Sequence, residues 1–481
     1  MKKHILRFQL LTIIILLFTG NVRAQFNISG EFKMRGEYRD GYQSLRDSSK
    51  TPYSTILGRA RLAFDYKNDK ITTRFSLNDA WVFGQNYYSA DTITKNTINI
   101  FEAWFQYNFT KNFGLKVGRT EVAYDDERLF GYSNWSMWGA THDIIIAQFK
   151  NKDFWGNAGF AVNNVAPASS YLNSYNMRNN YKYLGYLYGN INLFDNKLDV
   201  TFTGVVDAFQ KYNITNTTTK VKNDTIFVYN QNDSIIGTAI IPVVTKTTTT
   251  EEFPNTLYAR GTLGGTATVS LNKWTIFLNG FYQGGHTRDG RKISSYFYGV
   301  WSSYQPVKQF KILVGWEQLS GNNFSDTSKL NTKVTGFSTL YGTSHRPYGY
   351  MDLFNSYVKD NLTPGLNDLY ARATVIFNNK MSLEATFRWF SLPYTYLQVI
   401  NPKKGQLPYQ EIETKSLGSE VDLMYVYKPV PNLELNAAYC FFLPTSAMET
   451  LNKVAVGKSK FAQYAYIMVT YKPNFFTSEK K

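Results

Sequence analysis

Residues 26–38 read FNISGEFKMRGEY. The even positions carry Phe26, Ile28, Phe32, Met34 and Tyr38, while the odd ones carry Asn27, Ser29, Glu31, Lys33, Arg35 and Glu37. Successive side chains of a strand point to opposite faces, so this stretch predicts a strand with one apolar and one charged face. The next segment repeats the pattern, with Ile56, Leu62, Phe64 and Tyr66 on one face and Arg59, Arg61 and Asp65 on the other. Further alternating segments begin near residues 70, 98, 113, 140, 155, 181, 197, 256, 273, 291, 309, 367, 380, 415, 432 and 459, which makes eighteen. Most run for about 10–14 residues, the length of a strand tilted across a bilayer, and an even number suits a closed barrel. Lipid offers no partner to an open strand edge, so such a sheet must close on itself. The predicted fold is therefore all-β: a transmembrane antiparallel up-and-down β-barrel of about eighteen strands, forming a single domain over residues 25–481.

The connections set its orientation. Short, turn-rich links occur at Lys67-Asn68-Asp69, Thr110-Lys111-Asn112, Asn151-Lys152-Asp153, Asp195-Asn196, Asn272-Lys273, Asn378-Asn379 and 428–432. The intervening links are long, near residues 39–54, 83–97, 122–139, 164–180, 210–255, 320–366, 392–414 and 444–458, with a tight one only at His286 to Gly290. Short turns are expected to face the periplasm and long loops the exterior. The 210–255 link is rich in Thr, Asn and Lys, consistent with either an external hairpin or a mobile segment.

Composition excludes other classes. Aromatic residues make up 17% of the chain and charged ones 18%, too aromatic for disorder and too polar for a helical membrane protein. A single cysteine, Cys440, can neither close an internal disulfide nor build a thiolate metal cage. Residues 1–24 have the form of a signal peptide: Lys2, Lys3 and Arg7, an apolar run from Leu10 to Phe18, and Val22-Arg23-Ala24 before the cut. Export to the outer membrane of a Gram-negative bacterium makes nucleic acid an implausible partner for the net charge of +16. Lipid, lipopolysaccharide and an anionic saccharide or other small anionic solute are the expected partners.

Turned inward, the polar faces supply Arg35, Arg59, Arg61, Arg74, Arg260, Arg372, Arg388, Lys33, Lys116 and Lys311. The inward acids are Glu31, Glu37, Asp65, Glu102, Glu317, Glu384, Glu420 and Asp422. Cross-strand ion pairing would make this a structural wall; arginines gathered at one height would make it an anion-selective constriction. The long loop carrying His345, Arg346, Tyr348, Tyr350 and Asp352 is a candidate to fold in and narrow the lumen. Enzyme motifs such as G-x-S-x-G and H-E-x-x-H are absent, and no cofactor or metal is expected. The acidic run Asp125-Asp126-Glu127 and a His142–Asp143 pair with Ser136 are the nearest approaches to metal or hydrolase chemistry.

Several segments resemble the alginate-export family of outer-membrane barrels, in the form found in Bacteroidetes. They are KVGRTEVAYDDERLFG from Lys116 with Asn134-Trp135 and His142-Asp143, FYQGGH from Phe281, WEQLSG from Trp316, LYGTSHRPYGYMDLF from Leu340 to Phe354, and GLNDLY from Gly365. The resemblance covers essentially the whole exported chain. It implies an eighteen-stranded monomer whose arginine-lined constriction passes an anionic polysaccharide, with loops gating it. A barrel plugged by its loops and acting as a glycan- or surface-binding protein is the alternative.

Overall fold

The computed structural model describes residues 24–84, 98–163, 180–211, 214–229, 235–251, 256–323, 332–343, 345–394, 397–399, 409–411 and 415–478. All but the last residue of the expected leader lies outside them.

Eighteen long strands follow one another in chain order, each pairing antiparallel with the next. They are β1 (Gln25–Asp40), β2 (Tyr53–Lys67), β3 (Ile71–Val82), β4 (Asn99–Asn108), β5 (Phe113–Thr120), β6 (His142–Lys150), β7 (Phe154–Val162), β8 (Tyr183–Leu193) and β9 (Leu198–Gln210). The second half comprises β10 (Leu257–Leu271), β11 (Trp274–His286), β12 (Lys292–Val307), β13 (Phe310–Leu319), β14 (Leu366–Asn378), β15 (Met381–Ser391), β16 (Ser416–Tyr427), β17 (Leu433–Pro444) and β18 (Ala462–Tyr471). β18 pairs back onto β1 from Phe32↔Tyr471 to Asp40↔Gln463, which closes the barrel. Beyond Pro473, residues Asn474–Thr477 extend this seam along the start of β1, with Asn27 opposite Thr477. Closure satisfies the strand edges that lipid could not.

The alternation has its expected outcome. On β1, Lys33, Arg35 and Glu37 are buried while Phe32 and Tyr38 are exposed. Around the rest of the circumference Phe105, Leu187, Val206, Leu263, Val314 and Ile467 likewise point outward, forming the apolar belt that meets acyl chains.

Short turns join the strands at one end, and Asn68, Asn151 and Asn378 each fold their side-chain oxygens onto backbone N–H groups two or three residues ahead. At the other end the links are long, except for Thr287 to Arg291, where the Thr287 N–H donates to the Arg291 carbonyl. The link after β9 contains the antiparallel hairpin Ile214–Tyr229 with Ile235–Glu251.

The molecule's main apolar core sits inside the barrel, not between layers. Among the described residues the β5–β6 and β13–β14 loops reach furthest inward, and Phe337, Tyr348, Met351, Phe354 and Val358 of the second are almost wholly buried. Phe354 packs on Phe390 of β15 at 4.2 Å and near Phe442 of β17 at 5.9 Å. Burying each such side chain is worth about 1.5–3 kcal/mol, which offsets part of the cost of ordering the loop backbone, about 1–2 kcal/mol per residue.

Candidate functional site: a loop-crossed lumen

The first inward loop, between β5 and β6, starts on one wall. Tyr124 stacks on Tyr188 of β8 at 4.1 Å and accepts from Asn157 of β7. Asp125 accepts from Tyr188 and from Thr201 of β9 at 2.8 and 3.1 Å. Asp126 accepts from Asn279 of β11, and Arg128 pairs with Glu317 of β13. The loop then reaches β1 and β2, which lie across the barrel from β9 to β11. The lumen is thus spanned from wall to wall by one segment of chain.

At the far wall the loop meets the basic cluster. Lys33 donates to the Asn134 carbonyl at 3.1 Å, Arg35 to that of Trp135 at 2.7 Å, Arg59 to that of Ser136 at 3.1 Å, and Arg61 to that of Trp138 at 3.4 Å. The Arg35 guanidinium also lies 3.7 Å over the Trp135 ring. That ring stacks on His345 of the second loop at 3.7 Å and 6°. Burial of like charges side by side is tolerable here because carbonyl oxygens and Glu31 and Glu37 face them.

The second inward loop, between β13 and β14, holds the other predicted narrowing residues. His345, Tyr348, Tyr350 and Asp352 are buried, while Arg346 is exposed. His345 Nδ1 bonds the Asp352 carboxylate at 2.8 Å, which also accepts from Tyr42. Arg388 of β15 donates to the Pro347 and Arg346 carbonyls at 3.0 and 3.3 Å. Glu420 of β16 accepts from the Met351 N–H at 2.9 Å. Gly349 turns here with φ +89°, and a Cβ on it would lie 2.3 Å from the Glu420 carboxylate, so the turn needs glycine. Three backbone hydrogen bonds tie the loops together: Gly131 to Tyr341, Tyr341 to Leu129, and Thr343 to Glu127.

None of the residues expected on the inner face is exposed. All the arginines but Arg61 have a carboxylate partner: Arg35 Glu37, Arg59 Glu31, Arg74 Glu102 with Asp65 further off, Arg260 Asp207, Arg372 Glu384, and Arg388 Asp368 with Asp422 nearby. Arg61 instead donates to Asn78 and lies over Phe101. Lys116 sits 4.0 Å over the Trp104 ring. Asp65, Arg74, Lys116, Lys311, Arg372 and Glu384 lie nearer the short turns and are only partly buried. Three partners escaped the sequence reading. Asp207 and Asp368 sit on inward strand positions and could have been found by alternation, whereas Arg128 lies in a loop, where no periodicity marks direction.

The nearest approaches to other chemistry do not assemble. His142 turns inward to Tyr181 at 2.9 Å, while Asp143 on the opposite face pairs with Arg119. Asp125, Asp126 and Glu127 fan out to different partners. Among the described residues, no three His, Cys, Asp or Glu side chains converge on a metal position. Cys440 is buried on β17, opposite Asp422.

The sequence model for alginate export matches residues 24–459, nearly the whole barrel. The chain belongs to the alginate export family. This alginate-export barrel is accordingly a protein of the Gram-negative outer membrane, and its family and architecture are those of a channel. Among solved structures it is similar to Pseudomonas aeruginosa OpdL, with 8% identity, a TM-score of 0.55, and 94% of this chain and 99% of that one covered. P. aeruginosa OprD gives 11%, 0.52, 93% and 94%, and a BenF-like porin from Pseudomonas fluorescens Pf-5 gives 10%, 0.53, 94% and 99%. At such identities the likeness is one of fold. No curated protein sequence matches the chain.

Asp125 lies on the first loop, outside the spanning strands; the residue as a whole is exposed, but desolvation of the carboxyl that Tyr188 and Thr201 hold raises its pKa from 3.8 to about 6, against the lowering effect of those two hydroxyl donors and with repulsion from Asp126 and Asp199 adding to the rise. Between these values the docked loop keeps a proton that an undocked loop would release, so docking is firmest at low pH and weakens as pH rises through about 6. Glu121, raised to about 7 first by burial and then by Glu102, acts in the same direction. Single-channel conductance should therefore rise between pH 4.5 and 7.5, and Asp125→Asn should flatten the lower part of that rise. An unchanged profile in Asp125→Asn would remove this carboxyl from the loop's control.

Proposed function

We propose that the protein is a passive channel for anionic solutes, oligo- or polysaccharide carboxylates foremost, and that it works as a monomer without a cofactor. The observation that carries this is the row of carbonyl oxygens at 134, 135, 136 and 138 held by Lys33, Arg35, Arg59 and Arg61. Those donors can hold carboxylate oxygens by the same bonds, made stronger by charge. An anion arriving at the cluster competes with the loop for the same donors and so loosens the segment that narrows its path. The guanidiniums of Arg35, Arg59 and Arg61 stay charged at any working pH, so their part of the track does not switch off.

Alternating bases and acids below the cluster, namely Lys116, Arg74, Asp65, Glu102, Arg372 and Glu384, keep a permeant from being trapped. Conduction needs binding favourable enough for entry and weak enough for exit. The cleaved leader over residues 1–24 belongs to this proposal, as does a single functional domain from residue 25.

The test is a planar-bilayer recording with purified protein, followed by short uronic-acid oligomers. The expected result is anion preference and reversible block. In Arg61→Gln the anion-to-cation permeability ratio should fall about two- to five-fold, the weight of one partly screened charge near the path. This residue is chosen because it has no carboxylate to strand. Cation preference in the unaltered protein would overturn the proposal.

A further inference from the structure

At the outer rim, the ends of β9 to β12, the Thr287–Arg291 turn and the second inward loop line a half-open cavity of about 570 Å³. It is separate from the basic cluster on β1 and β2 and from the loop carbonyls that fill it. Its apolar wall is Ile293, Leu340 and Tyr341; its cations are Arg260, Arg288, Arg291 and Lys359; Asp289, Asp360 and Asn361 supply acceptors. Arg260 is committed to Asp207 and Asn361, Arg291 to Asp289, and Arg288 donates to the Asn180 carbonyl at 3.2 Å, where a carboxylate can replace the carbonyl as acceptor. The Arg288 and Arg260 guanidiniums both lie over the Phe209 ring, at 4.8 and 5.3 Å, which fixes them at the cavity's edge. Lys359 and Asp360, which the second inward loop contributes to the lining, are exposed.

The composition of this wall selects a ligand class. A plain anion without several hydroxyls would meet Asp289 and Asp360 only as repulsion, since it has few donors to offer those carboxylates. A neutral sugar would have no use for the basic surplus, which stands at four cations against Asp207, Asp289 and Asp360. A sugar acid meets all three features: its carboxylate between Arg288 and Lys359, its hydroxyls donating to Asp289, Asp360 and Asn361, and its C–H face on Leu340 and Tyr341. The volume falls within the range of about 300–1,000 Å³ usual for small-ligand sites.

We infer that the cavity at the outer rim, between Arg288 and Lys359, is a binding subsite for the end of a carboxylated saccharide. It rests on the anionic-saccharide reading above, which it deepens by placing recognition at the rim, ahead of or behind the narrow track. Tyr341 links the two regions, since it bonds Asp207 behind Arg260 and bridges to the first inward loop at Phe130.

Calorimetric titration of the detergent-purified barrel with a galacturonate trimer tests this, beside a maltotriose arm and an acetate arm. The expected result is saturable binding of the uronate alone, weakened about ten-fold or more in Arg288→Ala/Lys359→Ala through loss of two charge-assisted contacts. Unchanged uronate affinity in that variant overturns the subsite, as does equal binding of maltotriose or acetate, or no uronate binding at all. Mobility of unheated protein on gels checks that the variant barrel is folded, and Lys359→Ala alone alters only an exposed side chain. Ion selectivity in potassium chloride, without sugar, reads the channel proposal separately: anion preference with a failed titration removes only the subsite, and its absence removes the channel reading.

Discussion

Excising residues 133–138 and rejoining the chain through two glycines should raise single-channel conductance several-fold while the barrel stays closed. Eighteen strands enclose an aqueous channel when nothing crosses it. Here the crossing segment is held at one wall by Tyr124, Asp125, Asp126 and Arg128, and at the other by the four basic donors. Removing the second anchor frees the span without touching a strand or the β1–β18 seam. The second loop should loosen as well, because Trp135 supplies the face on which His345 stacks. Conductance equal to that of the unaltered protein would mean that the limiting cross-section lies elsewhere, and the loop would then be a wall and not a gate.

Arg388→Met should be the most damaging single substitution in the lumen. Arg388 is buried, pairs with Asp368, lies 3.8 Å from Asp422, and holds the second loop through two carbonyls. Methionine fills similar space but leaves buried acids with no cation beside them. Breaking such a pair from one side costs about 3–5 kcal/mol. The temperature at which the barrel loses its compact gel mobility should fall accordingly, and protease should cut near Arg346 in a variant that is still folded. Removing both charges, in Arg388→Met with Asp368→Leu, should restore much of the loss, since an apolar pair can replace a buried ion pair at little cost. If the double variant were as unstable as the single one, the arginine's bonds to the Arg346 and Pro347 carbonyls and its attraction to Asp422 would together be the dominant contribution.

These two predictions divide along the line between local and long-range information. The strands were legible because alternation is local: Lys33, Arg35 and Glu37 announce an inward face within five residues, and Phe32 and Tyr38 announce the lipid face beside them. The turns were legible for the same reason, since Asn68 or Asn151 bonds backbone only two or three residues away. Chain order then fixed the pairing, as consecutive strands in an up-and-down barrel have only each other as neighbours.

The loops obey no such period. Arg35 meets Trp135 and Arg128 meets Glu317 across 100 and 189 residues, and nothing in either neighbourhood records the other. The sequence by itself therefore determined that this chain is an eighteen-stranded outer-membrane barrel with a charged interior and arginines along it. Only the tertiary structure decided that the β5–β6 and β13–β14 loops cross that interior, that their backbone oxygens take the bonds of the basic cluster, and that all but one of the arginines expected on the inner face have an acid beside them. The physical reason is that a strand's face is set by the bilayer and the pleat, whereas an inward loop settles only where closure of the whole barrel brings distant donors and acceptors within hydrogen-bonding distance.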